Sequence, residues 1–323
     1  MNYLSVCSGI EAASVAWNPL GWKPIGFSDI EKFPSAVLKH HYPEVENYGD
    51  MQQFREWGIP AESVELLVGG TPCQSFSVAG LRRGLRDPRG NLALVFLAMA
   101  EAYQPRWLVW ENVRGVLSDQ TNAFGNLVGG LSELGYDCAW RVLDAQYFGV
   151  PQRRKRVFLV GHPRGGGIHP GQVLFEPESL CRDLAPRREA REGIAPALAK
   201  SVRTGSGGID REDMHTLIPS RETFGGGSSK AIDVSTAINA HPGASNRCDF
   251  ESETFVSTVS ENYKVRRLTP RECERLQGFP DDYTLIKYGR GMSKDGPRTK
   301  ALGNSMAVPV MRWIGERIAL LDG

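Results

Sequence analysis

The alternation of strand-like and helix-like segments over residues 1–162 is the feature that most constrains the fold of this chain. Apolar segments such as 3–7, 65–68 and 107–110 are typical of buried strands, and helix-like segments such as 32–41 lie between them. Strands that alternate with helices predict a mainly parallel sheet with helices on both faces, which is an α/β fold. Ligands of such sheets bind beyond the carboxyl ends of the strands, so functional side chains are expected there.

The composition changes after Gly161, and residues 163–262 contain clusters of glycine together with many serine, threonine and arginine residues. Helical periodicity is weak there, which predicts a second, smaller domain that is irregular and mainly β. Helix signals return at 269–276, where threonine precedes proline and a glutamate follows, as in a capped helix start. A last helix is predicted over 308–321.

Charge and cysteine content exclude several classes of protein. The net charge of the 323 residues is only +1, so a nucleic-acid partner would have to bind local basic clusters. The longest apolar run, 92–100, is too short for a membrane span of about 20 residues, and no secretory signal is visible. We therefore expect a cytoplasmic protein with no membrane partner. The six cysteines form no CxxC pair, so we expect no metal site.

A glycine turn follows the first strand, at Cys7-Ser8-Gly9-Ile10-Glu11. A glycine turn that enters a helix presents backbone N–H groups to a ligand. The second strand ends at Asp29, about 20 residues further on, where an acid can bond ribose hydroxyls. Together they predict a nucleoside cofactor, and the lack of GxGxxG argues against a dinucleotide. A turn and a surface acid without function remain the alternative at this point.

Two reactive side chains follow other strands at the same sheet edge. Cys73 comes after the strand at 65–68, and the arginines beyond it, among them Arg82 and Arg83, can bind phosphates and lower the pKa of the thiol. Glu111 directly follows the strand at 107–110, where partial burial would raise the pKa of its carboxyl towards neutrality. The alternative interpretations are a structural cysteine and an ordinary acid at a helix start.

With these residues in place, the sequence resembles the DNA (cytosine-5) methyltransferases of bacteria and bacteriophages. The resemblance covers nearly the whole chain except the middle of the second domain, and five motifs occur in the family's order. These are Pro72-Cys73-Gln74, Glu111-Asn112-Val113, the QxRxR pattern of Gln152, Arg154 and Arg156, the segment from Arg267 to Pro280, and Gly303-Asn304-Ser305.

The first motif departs from the family pattern. Ser5 stands in place of an aspartate, Cys7 in place of a phenylalanine and Glu11 in place of a glycine. Ile30 stands where an aromatic side chain often packs on adenine. The contacts to the cofactor, more than its identity, are affected by these changes.

The resemblance implies a Rossmann-like domain that uses S-adenosylmethionine and a smaller target-recognition domain. It implies that Cys73 adds to carbon 6 of a flipped cytosine, that Glu111 bonds the N3 edge, that Arg156 holds the O2 edge and that Arg154 orients neighbouring groups or a phosphate. The implied cofactor-binding residues are Cys7, Gly9, Ile10, Asp29, Ile30, Asp50, Met51, Pro72, Leu92, Asn304 and Ser305. The implied DNA-binding residues are Gln74, Ser77, Arg82, Arg83, Gln152 and Arg271.

The expected organisation is discontinuous. Residues 1–170 and 300–323 form the catalytic domain, 171–267 read double-stranded DNA, and 268–299 form a hinge segment. One chain carries every expected motif, so a monomer suffices, and the resemblance allows a cognate restriction endonuclease as a partner. A tRNA cytosine-5 methyltransferase and a non-catalytic DNA-binding regulator are the alternatives. A zinc cytidine deaminase is excluded because HxE and PCxxC are both missing.

Overall fold

The computed structural model describes residues 1–71, 91–120, 122–175, 223–225, 254–258 and 264–322, with backbone only at 223–225, 254–258 and 264–266. The first part contains, in chain order, β1 (Asn2–Val6), α1 (Ala12–Trp17), β2 (Lys23–Ser28), α2 (Lys32–His41), β3 (Leu66–Gly69), α3 (Leu92–Tyr103), β4 (Trp107–Val113), α4 (Ala123–Glu133), β5 (Tyr136–Asp144), β6 (Lys155–Pro163) and the short α5 (Gly171–Leu174). Single 3₁₀ turns at Asn18–Leu20, Met51–Glu56, Ala61–Ser63, Arg114–Ser118 and Ala145–Phe148 complete the connections.

A six-stranded sheet in the order β2-β1-β3-β4-β6-β5 forms the centre of the molecule. The strands β2, β1, β3 and β4 pair in parallel. Strand β6 pairs antiparallel with β4, and β5 pairs antiparallel with β6. The predicted α/β fold with a mainly parallel sheet is thus confirmed. Val6, Gly69 and Trp110 lie side by side in the register, so the carboxyl ends of β1, β3 and β4 meet at one edge.

Alternate residues of each central strand feed two different hydrophobic cores, as the two-residue period of a strand requires. Tyr3 and Val109 face the core that contains α1, while Leu4 and Leu108 face the core that contains α3. Ser5 and Glu111 have the parity of Tyr3 and Val109, so both belong to the face covered by α1.

The C-terminal part of the described chain returns to the first core. It consists of α6 (Pro270–Gln277), the hairpin of β10 (Lys287–Tyr288) and β11 (Gly291–Met292), α7 (Asp295–Asn304) and α8 (Val308–Asp322). Trp17 in α1 is fully buried, and its Nε1 donates to the backbone oxygen of Met311 in α8 at 2.7 Å. A Cβ on Gly315 would lie 2.4 Å from the Trp17 ring, so only glycine permits this close packing of the two helices.

The segment 268–299, expected to be a hinge, packs against the same core through Cys273, Phe279 and Tyr283. Helix α6 begins with the capping box predicted from its sequence, since Thr269 and Glu272 exchange hydrogen bonds between side chain and backbone. The assignment of domain boundaries remains a prediction.

A buried ion pair fixes α7 to α6. The Glu274 carboxylate accepts from Arg298 at 3.1 Å, from the Thr284 backbone at 2.8 Å and from the Asp282 backbone at 2.7 Å. Glu274 and Arg298 are both buried. Helix α7 was not predicted from the sequence, because Gly296 and Pro297 near its start are poor helix formers and its stability comes from this distant partner.

The described backbone between 176 and 267 is a three-stranded antiparallel sheet of β7 (Thr223–Gly225), β8 (Thr254–Thr258) and β9 (Lys264–Arg267). It fits the β-structure expected for this region, and a separate target-recognition domain remains a prediction. Among the helices of the described ranges, none is long and apolar enough to cross a bilayer.

Candidate active site

A small cavity of about 40 Å³ lies at the carboxyl edge of β1, β3 and β4. Its wall combines three parts of the chain that are far apart in sequence: the glycine turn after β1, the ends of β3 and β4, and the connection between α7 and α8. The lining residues used below are Ser5, Cys7, Gly9, Glu11, Glu111, Asn304 and Ser305. Functional side chains therefore meet where the parallel sheet predicts them.

Glu111 lies in the last part of β4 and is buried. Its Oε1 atom is 3.2 Å from Nε of Arg156, yet this oxygen has no well-oriented hydrogen bond among the described residues. A Cβ on Gly70 would approach Oε2 to 3.2 Å, so glycine leaves room for the carboxylate. Burial raises the pKa of Glu111, and the nearby charges of Arg154 and Arg156 oppose this shift. The site thus holds an acid that can keep or share a proton at higher pH than a surface glutamate.

Arg154 is buried behind the site instead of facing the cavity. Its Nη2 donates to the backbone oxygens of Gly303, at 3.1 Å, and Ser305. Burial lowers its pKa to about 9. Arg154 therefore clamps the Gly303–Ser305 connection against β6, which is an orienting role, and its guanidinium is not placed at a surface where a phosphate could bind. Gln152 is also fully buried, so its side chain is not presented at a surface for contact with DNA.

Thr71 fixes the start of the segment that carries Cys73. Trp110 Nε1 donates to the Thr71 hydroxyl at 2.9 Å, and Asn112 Nδ2 donates to its backbone oxygen at 2.8 Å. Thr71 is fully buried. The next residues predicted to act, Pro72, Cys73, Gln74, Ser77, Arg82 and Arg83, lie outside the described residues. The chain thus enters this segment from a point held by β4, the strand that carries Glu111.

Asp29 is bound to the glycine turn. Its Oδ2 accepts from the Gly9 backbone at 2.8 Å, its Oδ1 accepts from the Glu31 backbone at 2.8 Å, and burial raises its pKa. Gly9 has φ +57°, with open space where a Cβ would be. The neighbouring Ile30 is 74 % exposed, which provides an apolar platform beside the turn. The arrangement fits a nucleoside whose ribose lies near Asp29 and whose base packs on Ile30.

The structure places four further predicted cofactor residues: Asp50, Met51, Ile10 and Leu92. Asp50 caps the 3₁₀ turn that begins at Met51, and Met51 is buried with its sulfur 3.7 Å from the Cys7 sulfur. Ile10 is buried in the first core, so its side chain supports the turn from beneath. Leu92 is the first residue of α3.

Arg271, predicted to bind DNA, is placed on the exposed side of α6. Its guanidinium is paired with the Asp282 carboxylate. To bind a DNA phosphate, Arg271 would have to release the Asp282 carboxylate. Within the described parts of the chain, no group of three or more potential metal-binding side chains occurs.

The structure adds Glu11 to the site. Its side chain is 1 % exposed and lines the cavity, and its carboxylate accepts hydrogen bonds from Ser5 and Ser14. The backbone of Glu11 is left-handed, with φ +64°, the conformation that favours glycine. The signal for this residue in the sequence is an acid in place of a turn glycine.

The fold and the site define a class of protein: an α/β domain with a glycine turn and a buried acid at the carboxyl edge of its parallel strands. The chain matches the C-5 cytosine-specific DNA methylase family over residues 1–320. It belongs to this family.

Two relatives and one solved structure show the extent of the similarity. The chain is 36% identical to a protein of Escherichia phage P1 named DNA N-6-adenine-methyltransferase, with 98% of this chain aligned, and it spans 61% of that protein's length. It is 31% identical to the type II methyltransferase M.MthTI of Methanothermobacter thermautotrophicus, with 81% of each chain aligned. The crystal structure of S. pombe Dnmt2 methyltransferase has the same fold, with a TM-score of 0.65 at 16% identity and coverage of 100% and 99%.

Proposed function

We propose that the protein transfers a methyl group from S-adenosylmethionine to carbon 5 of cytosine in double-stranded DNA, through a covalent adduct of Cys73. The observation that carries this proposal is the buried Glu111 carboxylate, which lines one cavity with the glycine turn of β1 and whose Oε1 has no hydrogen bond to any described residue. The anchor of the Cys73 segment, Thr71, is held by the same strand. Membership of the family supports the reaction type.

The residue types suit the chemistry of cytosine. Carbon 5 is a weak nucleophile, and addition of a thiolate to carbon 6 converts the ring into an enamine that is nucleophilic at carbon 5. The addition pushes electron density towards N3, where a proton on Glu111 stabilises it. Burial raises the pKa of Glu111, so the carboxyl retains a proton at higher pH than usual. Arg156 lies beside this acid and limits the shift.

S-adenosylmethionine, when bound, supplies an electrophilic methyl group. The residues near the glycine turn suit its nucleoside: Asp29 binds the Gly9 backbone, Ile30 beside it in sequence is exposed, and Asp50 lies near enough to Cys7 to raise the pKa of its thiol. After methylation, a water molecule takes the carbon 5 proton, and the double bond re-forms as the Cys73 thiolate leaves carbon 6. The proton at N3 returns to Glu111, so both side chains end in their starting states.

The target carbon lies inside the base stack of a duplex, so the base must be turned out before Cys73 can reach it. We assign the reading of base edges in the major groove to residues 171–267, which separate the two parts of the catalytic domain in sequence. Two other acceptors are testable alternatives. One is adenine N6, from the name of the phage P1 relative, and the other is a tRNA cytosine. Attack by an exocyclic amine such as adenine N6 needs no thiol adduct, so Cys73 and Glu111 favour cytosine carbon 5.

The test uses a bacterial host without cytosine-5 methylation that expresses the wild type, Cys73→Ala or the matched control Cys138→Ala. Cys138 lies in β5, and burial raises the pKa of its thiol to about 12, so it is unreactive. Genomic DNA and tRNA are hydrolysed and their methylated nucleosides measured by mass spectrometry, and bisulfite sequencing then locates the modified cytosines. We expect 5-methylcytosine in one short DNA sequence for the wild type and Cys138→Ala, and none for Cys73→Ala.

Each other outcome rejects a stated part of the proposal. N6-methyladenine in the DNA would show that the acceptor is wrong. 5-Methylcytosine found only in tRNA would select the RNA alternative. Methylation of DNA by Cys73→Ala would exclude the thiol adduct while leaving the acceptor intact.

A further inference from the structure

Ser5 and Glu11 are two of the positions at which the first motif departs from its family, and their side chains touch. The Ser5 hydroxyl donates to Oε2 of Glu11 at 2.8 Å. The usual motif has the acid at the strand position and glycine in the turn, whereas this chain has serine in the strand and the acid in the turn. In this chain the carboxyl group therefore belongs to Glu11 in the wall of the cavity, and the hydroxyl of Ser5 in β1 donates to it.

The Glu11 carboxylate is buried and has room for one more donor. Its Oε1 accepts from the backbone N–H and the hydroxyl of Ser14, both at 3.1 Å, while its Oε2 accepts only from Ser5 within the part of the chain that the structure describes. A carboxylate has about four lone-pair positions, so one position on Oε2 remains open. No salt bridge to Glu11 occurs among the described residues. A buried carboxylate without a cation is costly, so the site favours a ligand that brings a positive charge.

A second observation points to the same ligand. Glu111 lines the same cavity and also has a buried oxygen that finds no hydrogen bond among the described residues. Asn304 and Ser305 are further lining residues. The negative charge that acts on Glu11 comes from Asp29, and a bound cation would offset it. Arg156 supplies a positive charge to Glu111, whereas Glu11 has no cationic side chain beside it among the described residues.

We propose that Glu11 is a ligand-binding residue that pairs with the α-ammonium group of the methyl donor. This inference rests on the proposed function, which supplies the donor. The donor has two cationic groups, an ammonium and a sulfonium. Pairing with the sulfonium would stabilise a charge that disappears during methyl transfer and would therefore slow the reaction. Pairing with the ammonium, whose charge is unchanged by the reaction, binds the donor without this penalty.

Binding of a cation to Glu11 is linked to pH, because the carboxyl must be ionised. Burial is the largest cause that raises its pKa, to about 7. The titratable groups that face Glu11 from the surrounding elements, together with the acid across the cavity, are Tyr3, Asp29, Tyr42, Tyr283 and Glu111. The pKa values of the three tyrosines are raised above 10, so those groups stay neutral. The affinity of the donor should therefore rise as pH increases through about 7.

The test measures binding to the purified full chain by titration calorimetry, at pH 6.0 and pH 7.5, where the α-amino group of the ligand stays largely protonated. The ligands are S-adenosylmethionine, S-adenosylhomocysteine and an analogue of the latter without the α-amino group. The proteins are the wild type, Glu11→Gln and the matched control Glu101→Gln, which changes an exposed acid in α3. Near-ultraviolet circular dichroism checks that each variant is folded.

We expect Glu11→Gln to bind both amino-bearing ligands about tenfold more weakly at pH 7.5 and to bind the deaminated analogue like the wild type. The affinity of the wild type for the amino-bearing ligands should fall about tenfold between pH 7.5 and pH 6.0, and this measurement does not depend on the folding of any variant. The affinity of Glu11→Gln should change little over the same range. Equal binding by Glu11→Gln and the wild type would overturn the inference. A loss confined to S-adenosylmethionine would assign Glu11 to the sulfonium and overturn it as well. If the wild type binds none of the three ligands, the proposed function itself fails.

Discussion

Replacing Glu11 by glutamine should make the folded protein more stable at alkaline pH, even though it weakens ligand binding. Glutamine has nearly the same shape, so it can keep the bonds from Ser14 and can donate to Ser5. The carboxyl has a pKa of about 7 in the folded protein, against 4.5 for an unperturbed glutamate. In the wild type, stability is therefore lost as pH rises from about 4.5 through about 7, because the folded state binds a proton that the unfolded state has released.

The size of the effect follows from the shift. Each pKa unit corresponds to about 1.4 kcal/mol, so ionising Glu11 in the folded protein costs roughly 3 kcal/mol at pH 8. The assay is urea denaturation of the wild type and Glu11→Gln at pH 5 and pH 8, without ligand. The other titrating groups are common to both proteins and cancel in the comparison. We expect the advantage of Glu11→Gln over the wild type to grow by about 2.5 kcal/mol between the two pH values, because a small part of the effect is already present at pH 5. A constant difference would refute the reasoning, because it would mean that Glu11 is not a buried acid with a raised pKa.

Two further predictions concern the anchor of the Cys73 segment and the ion pair that fixes α7. Trp110→Phe removes the N–H that bonds to the Thr71 hydroxyl. Single-turnover methylation should slow about tenfold while the affinity for the methyl donor stays unchanged, as expected for a lost hydrogen bond of about 1.4 kcal/mol. A change only in the affinity for the methyl donor would contradict this role. Arg298→Met leaves Glu274 buried without a cation, and urea denaturation should show a loss of about 3–5 kcal/mol. Glu274→Gln in the same chain should restore part of that loss, because it removes the charge and keeps an acceptor oxygen for the Thr284 backbone. A loss below about 1 kcal/mol would mean that the pair contributes no more than a surface salt bridge.

The central sheet was accessible to prediction because its signals are local. Each parallel strand is an apolar run that ends in a turn, and β1 and β4 were found within three residues of their observed ends. Helix α7 was missed because it depends on the contact of Arg298 with Glu274, 24 residues away in sequence. A pattern within ten residues does not contain that information.

The site shows the same division. Glu111 and Asp29 were predictable because each lies at the carboxyl end of a strand, Glu111 within the last residues of β4 and Asp29 directly after β2. The clamp of Arg154 on Gly303 joins residues 149 positions apart, so only the folded chain shows that this arginine faces away from the cavity. Glu11 was visible as a departure, but its meaning depends on a left-handed backbone and on the hydroxyl of Ser5.

The contact between Trp17 and Met311 has a consequence for how the chain is made. The two residues are 294 positions apart, yet the buried indole of the first needs the helix of the second. At about 5–20 residues per second, a ribosome takes roughly 15–60 s to travel from one to the other. During this interval the first core lacks α8, and the apolar face of α1 is open to chaperones and proteases. We therefore expect a chain that stops before α8 to be degraded as an incompletely folded product.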